Sequence, residues 1–561
     1  MGFLVDWAGK PEIVRTASAD GKRASMSCAQ VRRGLVDSPT RHDPEMSTPP
    51  KTPVEPAITR AQKAELARSN RARLDQDLTT QRLLWQSMPR VVDMQLSNFC
   101  NMSCTMCYDG NNPPLEKLDT ALVERFAAEV LPTASVVVPF AGSEPLILTW
   151  DLTKQLAERY GVELELITNA QFLDEAKFFE LEPHVSTLTI SIDSHMLDVY
   201  ERIRLRSKPQ KVFENLPRAA RLCREHGIEP QANVVFMVEN APYMDETVAF
   251  LADQGCTTVR MLAYHHPRGA SAEREFSDAV KHMTPEWMAW MLGKVKKVAE
   301  QKRIHVIFEG LTRENSDHRP PDLGLRPDGK AKHATWDELP YIYPGYCVLS
   351  VDRIKVSSNG DVHPCCVADG DELRLGNLHQ ASFQEIWNGP NSQDLRRAML
   401  THDLPKLCKN CNFHTAWIPP ELAHMPFVDW YHDVHCGGTV ARVPRDRCTL
   451  AIDGPAHMAR SEAAPTFAWQ APQEAVDEYH LVFGVAGTWH KDNKVFTVPG
   501  NATEFRMSEA DWQAMAPNLG LWWCVWAVRK DDLAASQRSP TVRCVVRHQP
   551  IPRVPGSTLY A

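Results

Sequence analysis

No apolar run in these 561 residues reaches the length of a membrane span. The N-terminus carries Lys10, Arg15, Lys22 and Arg23 but lacks the apolar segment and cleavage site of a secretory signal. Positive charge is not in excess. The formal net charge is −8, which gives no basic footprint for nucleic acid. With no export signal, a disulfide framework is not expected, although there are 15 cysteines, an odd number. These absences point the cysteines toward metal binding in a reducing compartment, so the expected location is the cytoplasm, with no membrane attachment. Hydrophobic content of 43% is ordinary and permits sizeable cores. The length suggests about three or four domains.

Eight of the cysteines fall in two zones, Cys100 to Cys107 and Cys347 to Cys411. The first zone has the spacing C-x3-C-x2-C: Cys100, Cys104 and Cys107. Three thiolates can hold three corners of a cubane iron–sulfur cluster. The next cysteine is Cys223, so no fourth ligand lies nearby in the chain. Three protein ligands leave one iron open, and an open metal position can bind a substrate or cofactor. The alternative is a zinc site or an incidental group of thiols. Zinc usually pairs C-x2-C with a second Cys or His pair close by, and that pair is missing here.

Residues 1–56 lack periodicity, and Ser38 to Pro56 holds six prolines, so this region is expected to be disordered. Residues 57–88 are rich in Ala, Arg, Gln, Leu and Glu and read as one charged helix, either a cap or a solvated surface helix. Short apolar strands then alternate with helices. The strands are expected at Val91–Leu96, Ser135–Phe140, Glu163–Ile167, Thr187–Ile192, Gln231–Met237 and Thr257–Leu262. The helices are expected at Thr120–Val130, Thr149–Tyr160, Ala176–Leu181, Leu197–Ile203, Val212–His226 and Tyr243–Asp253. This alternation implies a parallel sheet. Six repeats suit an open, partial barrel, whose ligands sit at the C-terminal strand ends. The three cysteines follow the first strand. Other strand ends carry Gly142-Ser143-Glu144-Pro145, Thr168-Asn169 and Ser191-Ile192-Asp193. Gly142 lets backbone approach a ligand, Glu144 can accept from an ammonium, and Ser191 and Asp193 can bond hydroxyls.

In this order, the cysteine motif and these strand ends resemble the radical S-adenosylmethionine (SAM) enzymes over roughly residues 88–270. The resemblance implies a [4Fe–4S] cluster on Cys100, Cys104 and Cys107 whose open iron binds S-adenosylmethionine. It implies reductive cleavage to a 5′-deoxyadenosyl radical that abstracts hydrogen from substrate. It also implies an electron donor such as flavodoxin or ferredoxin. Carried over by position, Gly142, Ser143 and Glu144 line the methionine amino group. Ser191 and Asp193 sit near the ribose or carboxylate, and Asn233 and the Met261–Leu262 backbone lie beside the adenine. Arg204 either pairs with the carboxylate or lies on a helix surface. Two positions depart from the family pattern: Met106 stands where an aromatic is usual, and Ser143 where a second glycine is common.

After a helix from Thr284-Pro285-Glu286 to about Lys302 and a strand at Ile304–Phe308, residues 311–346 form a polar connecting loop. His265 and His266 point to the same barrel end or are simply solvated. The second zone reads as a strand at 351–356, a turn at Asn359-Gly360-Asp361, then Cys365. Four thiolates from Cys347, Cys365, Cys408 and Cys411 can close a metal site that zinc would satisfy equally. Cys347, Gly360-x4-Cys365, Gly376-Asn377, Trp387 and Cys408-x2-Cys411 resemble the SPASM or twitch auxiliary-cluster domains of the same enzymes. That resemblance implies one auxiliary [4Fe–4S] cluster, with spacings near those of twitch dehydrogenases acting on aminocyclitols. Cys366 is then spare, or replaces Cys365. A closed cluster would accept the electron left on substrate, or would only stabilise the domain.

Residues 416–465 read as a linker. Strands reappear over 466–548, at Phe467–Gln470, Tyr479–Gly484, Lys494–Val498, Glu504–Met507, Leu521–Arg529 and Thr541–Arg547, and a tail follows at 549–561. This pattern argues a β-sandwich, and its aromatics resemble a fibronectin type III module. The expected architecture is α/β: a partial (β/α)6 TIM-like barrel over 89–310, a small iron–sulfur domain over 347–415, and the sandwich. The expected function is hydrogen abstraction by radical SAM chemistry, a two-electron oxidation of a sugar, aminocyclitol or peptide substrate aided by the auxiliary cluster. The alternatives are a peptide maturase forming a thioether or carbon–carbon crosslink, and a non-catalytic metal-bound interaction protein.

Overall fold

The computed structural model describes residues 58–107, 114–139, 142–264, 279–309, 311, 316–318, 347–401, 403–409, 450–456, 459–485, 494–514, 520–531, 536–538, 543–547 and 550–560. Tyr108, His265, His266 and Cys411 lie outside them.

Helix α1 spans Arg60–Thr79, started by a capping box between Thr59 and Gln62. It is shorter than the 57–88 read from composition; residues 60–69 are exposed or half-exposed, as a surface helix would be, and burial begins only in its second half. Leu74, Leu78, Asn70 and Asp77 are buried. After Gln81, whose φ is 54°, the chain turns back. Asp77 then accepts from the backbone N–H groups of Gln86 and Ser87, both at 2.8 Å. Composition identifies a helix former; only long-range contacts decide where such a helix stops.

The barrel alternates as expected. Its main strands are β1 (Val91–Met94), β3 (Val136–Val138), β4 (Glu163–Thr168), β5 (Val185–Ser191), β7 (Glu229–Phe236) and β8 (Thr258–Ala263). A two-residue strand β2 (Ser103–Cys104) pairs with β6 (Arg204–Leu205) outside the main sheet. The helices between are α2 (Thr120–Val130), α3 (Pro145–Leu148), α4 (Trp150–Tyr160), α5 (Glu175–Leu181), α6 (Leu197–Ile203), α7 (Pro209–Glu225) and α8 (Met244–Asp253). After the helix Pro285–Lys302, β9 (His305–Glu309) extends the parallel sheet beside β8, and β10 (Ser316–His318) closes that edge antiparallel. On the other edge, β11 (Arg353–Val356) pairs parallel with β1. It forms a hairpin with β12 (Asp361–His363), which pairs with β13 (Gly376–Asn377). The barrel and the second cysteine zone therefore share one eleven-stranded sheet.

Period-two alternation splits this sheet into two faces. Val92, Val137, Leu166, Leu188, Val234 and Met261 pack under the helices in the main core. The opposite face holds a small apolar group, Val91, Val136 and Val138 with Ile167. By the same alternation it also holds Asp93, Thr187, Thr189, Asn233, Arg260, Glu309 and Arg353. Arg353 forks onto Asp93 with two contacts of 2.6 Å, and Arg260 Nε meets Glu309 at 2.8 Å. A polar inner face on a mostly parallel sheet is unusual for a pure core and suits a ligand.

The C-terminal region consists of small sheets. Three strands, β14 (Ile452–Gly454), β16 (Thr466–Trp469) and β19 (Glu504–Arg506), form one. The other is built from β15 (Ala459–Ser461), β17 (Glu478–Val485), β18 (Lys494–Pro499), β20 (Gly520–Val528), β21 (Gln537–Arg538) and β22 (Arg543–Arg547). Phe467, Trp469, Tyr479, Phe483, Trp512 and Trp523 fill the core between them. The stretch read as linker thus supplies β14 and β15. Each has only three residues, and pairing rather than alternation makes them strands. Residues 550–560, read as a tail, dock on the second cysteine zone: the Thr558 N–H donates to Asn391 at 2.8 Å, and Arg397 donates to the Tyr560 hydroxyl at 2.8 Å. No helix among the described residues is long and apolar enough to cross a membrane.

Candidate active site

The loop after β1 carries Cys100, Cys104 and Cys107. Cys104 is buried and the other two are half-buried against the main core. Four ties hold this loop. Cys104 pairs with Arg204 across the β2–β6 ribbon, and Thr105 N–H donates to the Ile203 carbonyl at 2.9 Å. Asn101 Oδ1 accepts from Asn169 Nδ2 at 2.9 Å, and the Phe99 carbonyl accepts from Glu144 N–H at 3.0 Å. The thiol loop is therefore bound to the ends of β3 and β4 and to α6. Burial pushes the Cys100 thiol up to about 11, and burial likewise raises Cys104 against the pull of Arg204. A metal would have to displace protons from both.

Glu144 follows β3 at the N-cap of α3, and it is 4% exposed. Its Oε1 accepts from the Thr168 hydroxyl at 2.7 Å and its Oε2 from Asn169 N–H at 2.9 Å. Burial outweighs these bonds and raises its pKa to about 7. Gly142 has φ 92°, which a residue with a Cβ rarely adopts. Gly142 and Ser143 are half-buried beside Glu144.

Ser191 ends β5, opposite Asn233 on β7, and both are half-buried. Asn233 Oδ1 is enclosed yet has no hydrogen-bond partner among the described residues, an orphan atom that invites a ligand donor. Asp193 differs. It is fully enclosed, with Oδ1 accepting from Val235 N–H at 2.8 Å and Oδ2 from Arg204 Nε at 2.7 Å. Both oxygens are engaged, so in this arrangement it is committed to Arg204 rather than open to a ribose. Arg204 is not a surface arginine: its side chain is 8% exposed. Asn240 was not anticipated. Its Nδ2 donates to the Asp193 and Val235 carbonyls at 2.7 and 2.8 Å. Val235 and Met237 are local partners at the end of β7, but the bond to Asp193 beyond the end of β5 has no local motif to mark it.

The second zone lines a narrow, partly open cleft. Cys347, Cys365 and Cys408 line it, with Leu349, Leu373, Met399 and Leu407 among the surrounding apolar groups. Cys365 lines the cleft; Cys366 is exposed and is not among its lining residues. Three thiols in an otherwise apolar pocket are a soft donor set that suits iron–sulfur. Among the described residues, no three His, Cys, Asp or Glu side chains converge as a single metal ion requires.

The profile of the Radical SAM superfamily matches residues 94–259. That of the SPASM iron–sulfur cluster-binding domain matches residues 347–412. The chain belongs to the radical SAM superfamily. It is a radical SAM enzyme with a SPASM domain, and its cofactors are a SAM-binding [4Fe–4S] cluster, S-adenosylmethionine and auxiliary iron–sulfur. It is similar to a cysteine-type anaerobic sulfatase-maturating enzyme of Clostridium novyi (strain NT), 21% identical over 336 residues, covering 57% of this chain and 83% of that one. Among solved structures it is similar to Streptococcus suis SuiB bound to precursor peptide SuiA, at 15% identity and a TM-score of 0.42, covering 66% and 79% of the two chains. It is also similar to native anSMEcpe with bound AdoMet, at 16% identity and a TM-score of 0.41, covering 57% and 86%. The radical SAM match ends before β9 and the SPASM match begins at Cys347, so each cysteine zone lies inside one matched region.

Proposed function

We propose that this radical SAM enzyme carries out a two-electron oxidation of a peptide substrate, with the SPASM cluster receiving the second electron. Cys100, Cys104 and Cys107 hold the SAM-binding cluster. Cys347, Cys365, Cys408 and Cys411 hold an auxiliary [4Fe–4S] cluster. When bound, the reduced first cluster and S-adenosylmethionine supply a 5′-deoxyadenosyl radical that takes hydrogen from substrate. The observation that carries the reading is Glu144. It is a buried carboxylate poised by Thr168 and Asn169, with its backbone tied to the residue before Cys100.

The chain's own residues would position and enclose. Glu144, with the Gly142–Ser143 backbone beside it, receives an ammonium. Ser191 faces the ribose or carboxylate, and Asn233 Oδ1 receives a donor from the adenosine. Asp193 acts one step back, by anchoring Arg204. The polar inner face, with Arg260–Glu309 and Arg353–Asp93 paired across it, suits a polar substrate that needs hydrogen-bond partners away from water. The peptide class is supported by the relative named as a sulfatase-maturating enzyme. An electron donor such as flavodoxin or ferredoxin completes the proposal.

The test is anaerobic reconstitution with iron and sulfide, followed by dithionite and S-adenosylmethionine. The expected product is 5′-deoxyadenosine. Protein with intact clusters that forms none would overturn the enzymatic reading. A candidate peptide that loses two mass units supports a two-electron oxidation, and fragmentation places the loss: a change confined to one residue supports simple oxidation, whereas a new bond joining two residues, which removes the same two hydrogens, replaces it with crosslinking.

A further inference from the structure

Arg204 is a buried cation placed directly against a cysteine of the first zone. The β2–β6 ribbon sets Cys104 opposite Arg204, and Arg204 Nη1 lies 3.9 Å from Cys104 Sγ. The other side of the guanidinium is clamped by Asp193 at 2.7 Å. Asp193 is itself held by Val235 N–H at 2.8 Å and, through its carbonyl, by Asn240 at 2.7 Å. The guanidinium also lies near the Tyr200 ring, 5.9 Å from its centroid. Three elements therefore fix one positive charge beside one sulfur. By contrast, Cys100 Sγ accepts from the neutral Met102 backbone N–H at 3.5 Å.

We infer that Arg204, anchored by Asp193, raises the reduction potential of the cluster that Cys104 helps to hold. Arginine stays protonated, so the charge is constant. Hydrogen bonds to cluster sulfurs and nearby charge set the potential of iron–sulfur centres. Adding one electron makes the cluster more negative, and a fixed cation in a poorly solvated site favours that state. Asp193 opposes it from farther away, behind the guanidinium. Arg204 is thus a positioning and tuning residue. The inference rests on the proposed ligation by Cys104.

The experiment is an anaerobic potential titration of the reconstituted full chain, read by electron paramagnetic resonance. The first cluster is identified as the component whose signal changes on adding S-adenosylmethionine. In Arg204→Gln, the reduced-to-oxidised ratio of that component at fixed potential should fall by about tenfold, a 59 mV negative shift for a one-electron couple. Arg204→Lys keeps a charge but cannot span both partners, so its fall should be about threefold. The auxiliary component should not move in either variant. An unchanged ratio in Arg204→Gln with iron content retained overturns the inference. If Arg204→Gln does not load, an unchanged ratio in Arg204→Lys overturns it instead. A wild-type protein with no S-adenosylmethionine-responsive signal overturns the proposed ligation, a distinguishable failure.

Discussion

At Glu144, one carboxylate combines two roles that pull on its protonation in opposite directions. Burial keeps its carboxyl near pKa 7, while an ammonium partner needs it ionised. Glu144→Gln should weaken S-adenosylmethionine binding by about 10- to 100-fold, the range of one charge-assisted hydrogen bond, with iron content unchanged. Equilibrium dialysis would measure this. The pH dependence has a definite sign. Below about 7 the free-protein carboxyl is protonated, so affinity should fall by up to about tenfold per pH unit as pH drops, and Glu144→Gln should flatten that slope. Stability runs the other way: a folded-state pKa above the ordinary 4.5 means the folded apoprotein keeps a proton the unfolded chain loses, so stability falls as pH rises from 4.5 to 7. Cys100, Cys104, Cys107 and Glu144 stood out in the sequence because their spacing and strand-end positions are local features. Asn240 did not, and whether Arg204 was buried could not be decided. Both depend on which strand ends meet in space.

Among the elements, β11 is the one that joins the two cysteine zones. It pairs with β1 over Val91–Met94 and carries the hairpin that leads to Cys365. The seam is locked by Arg90, whose Nε and Nη2 contact both Asp352 oxygens at 2.7–2.9 Å, with both side chains buried. Asp352→Ala would leave Arg90 as an uncompensated buried charge and should cost about 3–5 kcal/mol, read as a lower urea midpoint. Replacing both partners with apolar residues of similar volume should recover most of that loss. The strand near 351–356 was legible from its apolar alternation, but its parallel partner was not, because pairing across some 260 residues leaves no local trace. The segment after α1 repeats the lesson. Trp85 and Trp387 meet edge to face, with centroids 5.7 Å apart, and the Arg396 guanidinium lies 4.1 and 4.7 Å from their ring centroids, which joins the pre-barrel segment to the SPASM region. Composition alone had made that segment part of a charged helix.

For the whole molecule, iron content is the measurable consequence of two thiol zones. Reconstituted protein should hold about eight irons per chain, given four per cubane. Cys408→Ala should reduce this to about four and leave the S-adenosylmethionine-responsive signal in place; loss of that signal would show that the zones are not separate sites. Cysteine spacing, strand–helix alternation and turn residues determined the radical SAM core, its cofactor class and the existence of a second cysteine zone, because each is written over a few neighbouring residues. The tertiary structure decided what spacing could not. It chose Cys365 over Cys366 as the cleft-lining thiol, since only one of two adjacent side chains can face the same pocket. It joined both zones through one sheet, and it turned the interface of α6 and the cysteine loop into a buried ion pair beside Cys104. These outcomes rest on pairing and burial between segments far apart in the chain, where the energy depends on what meets, not on what is adjacent.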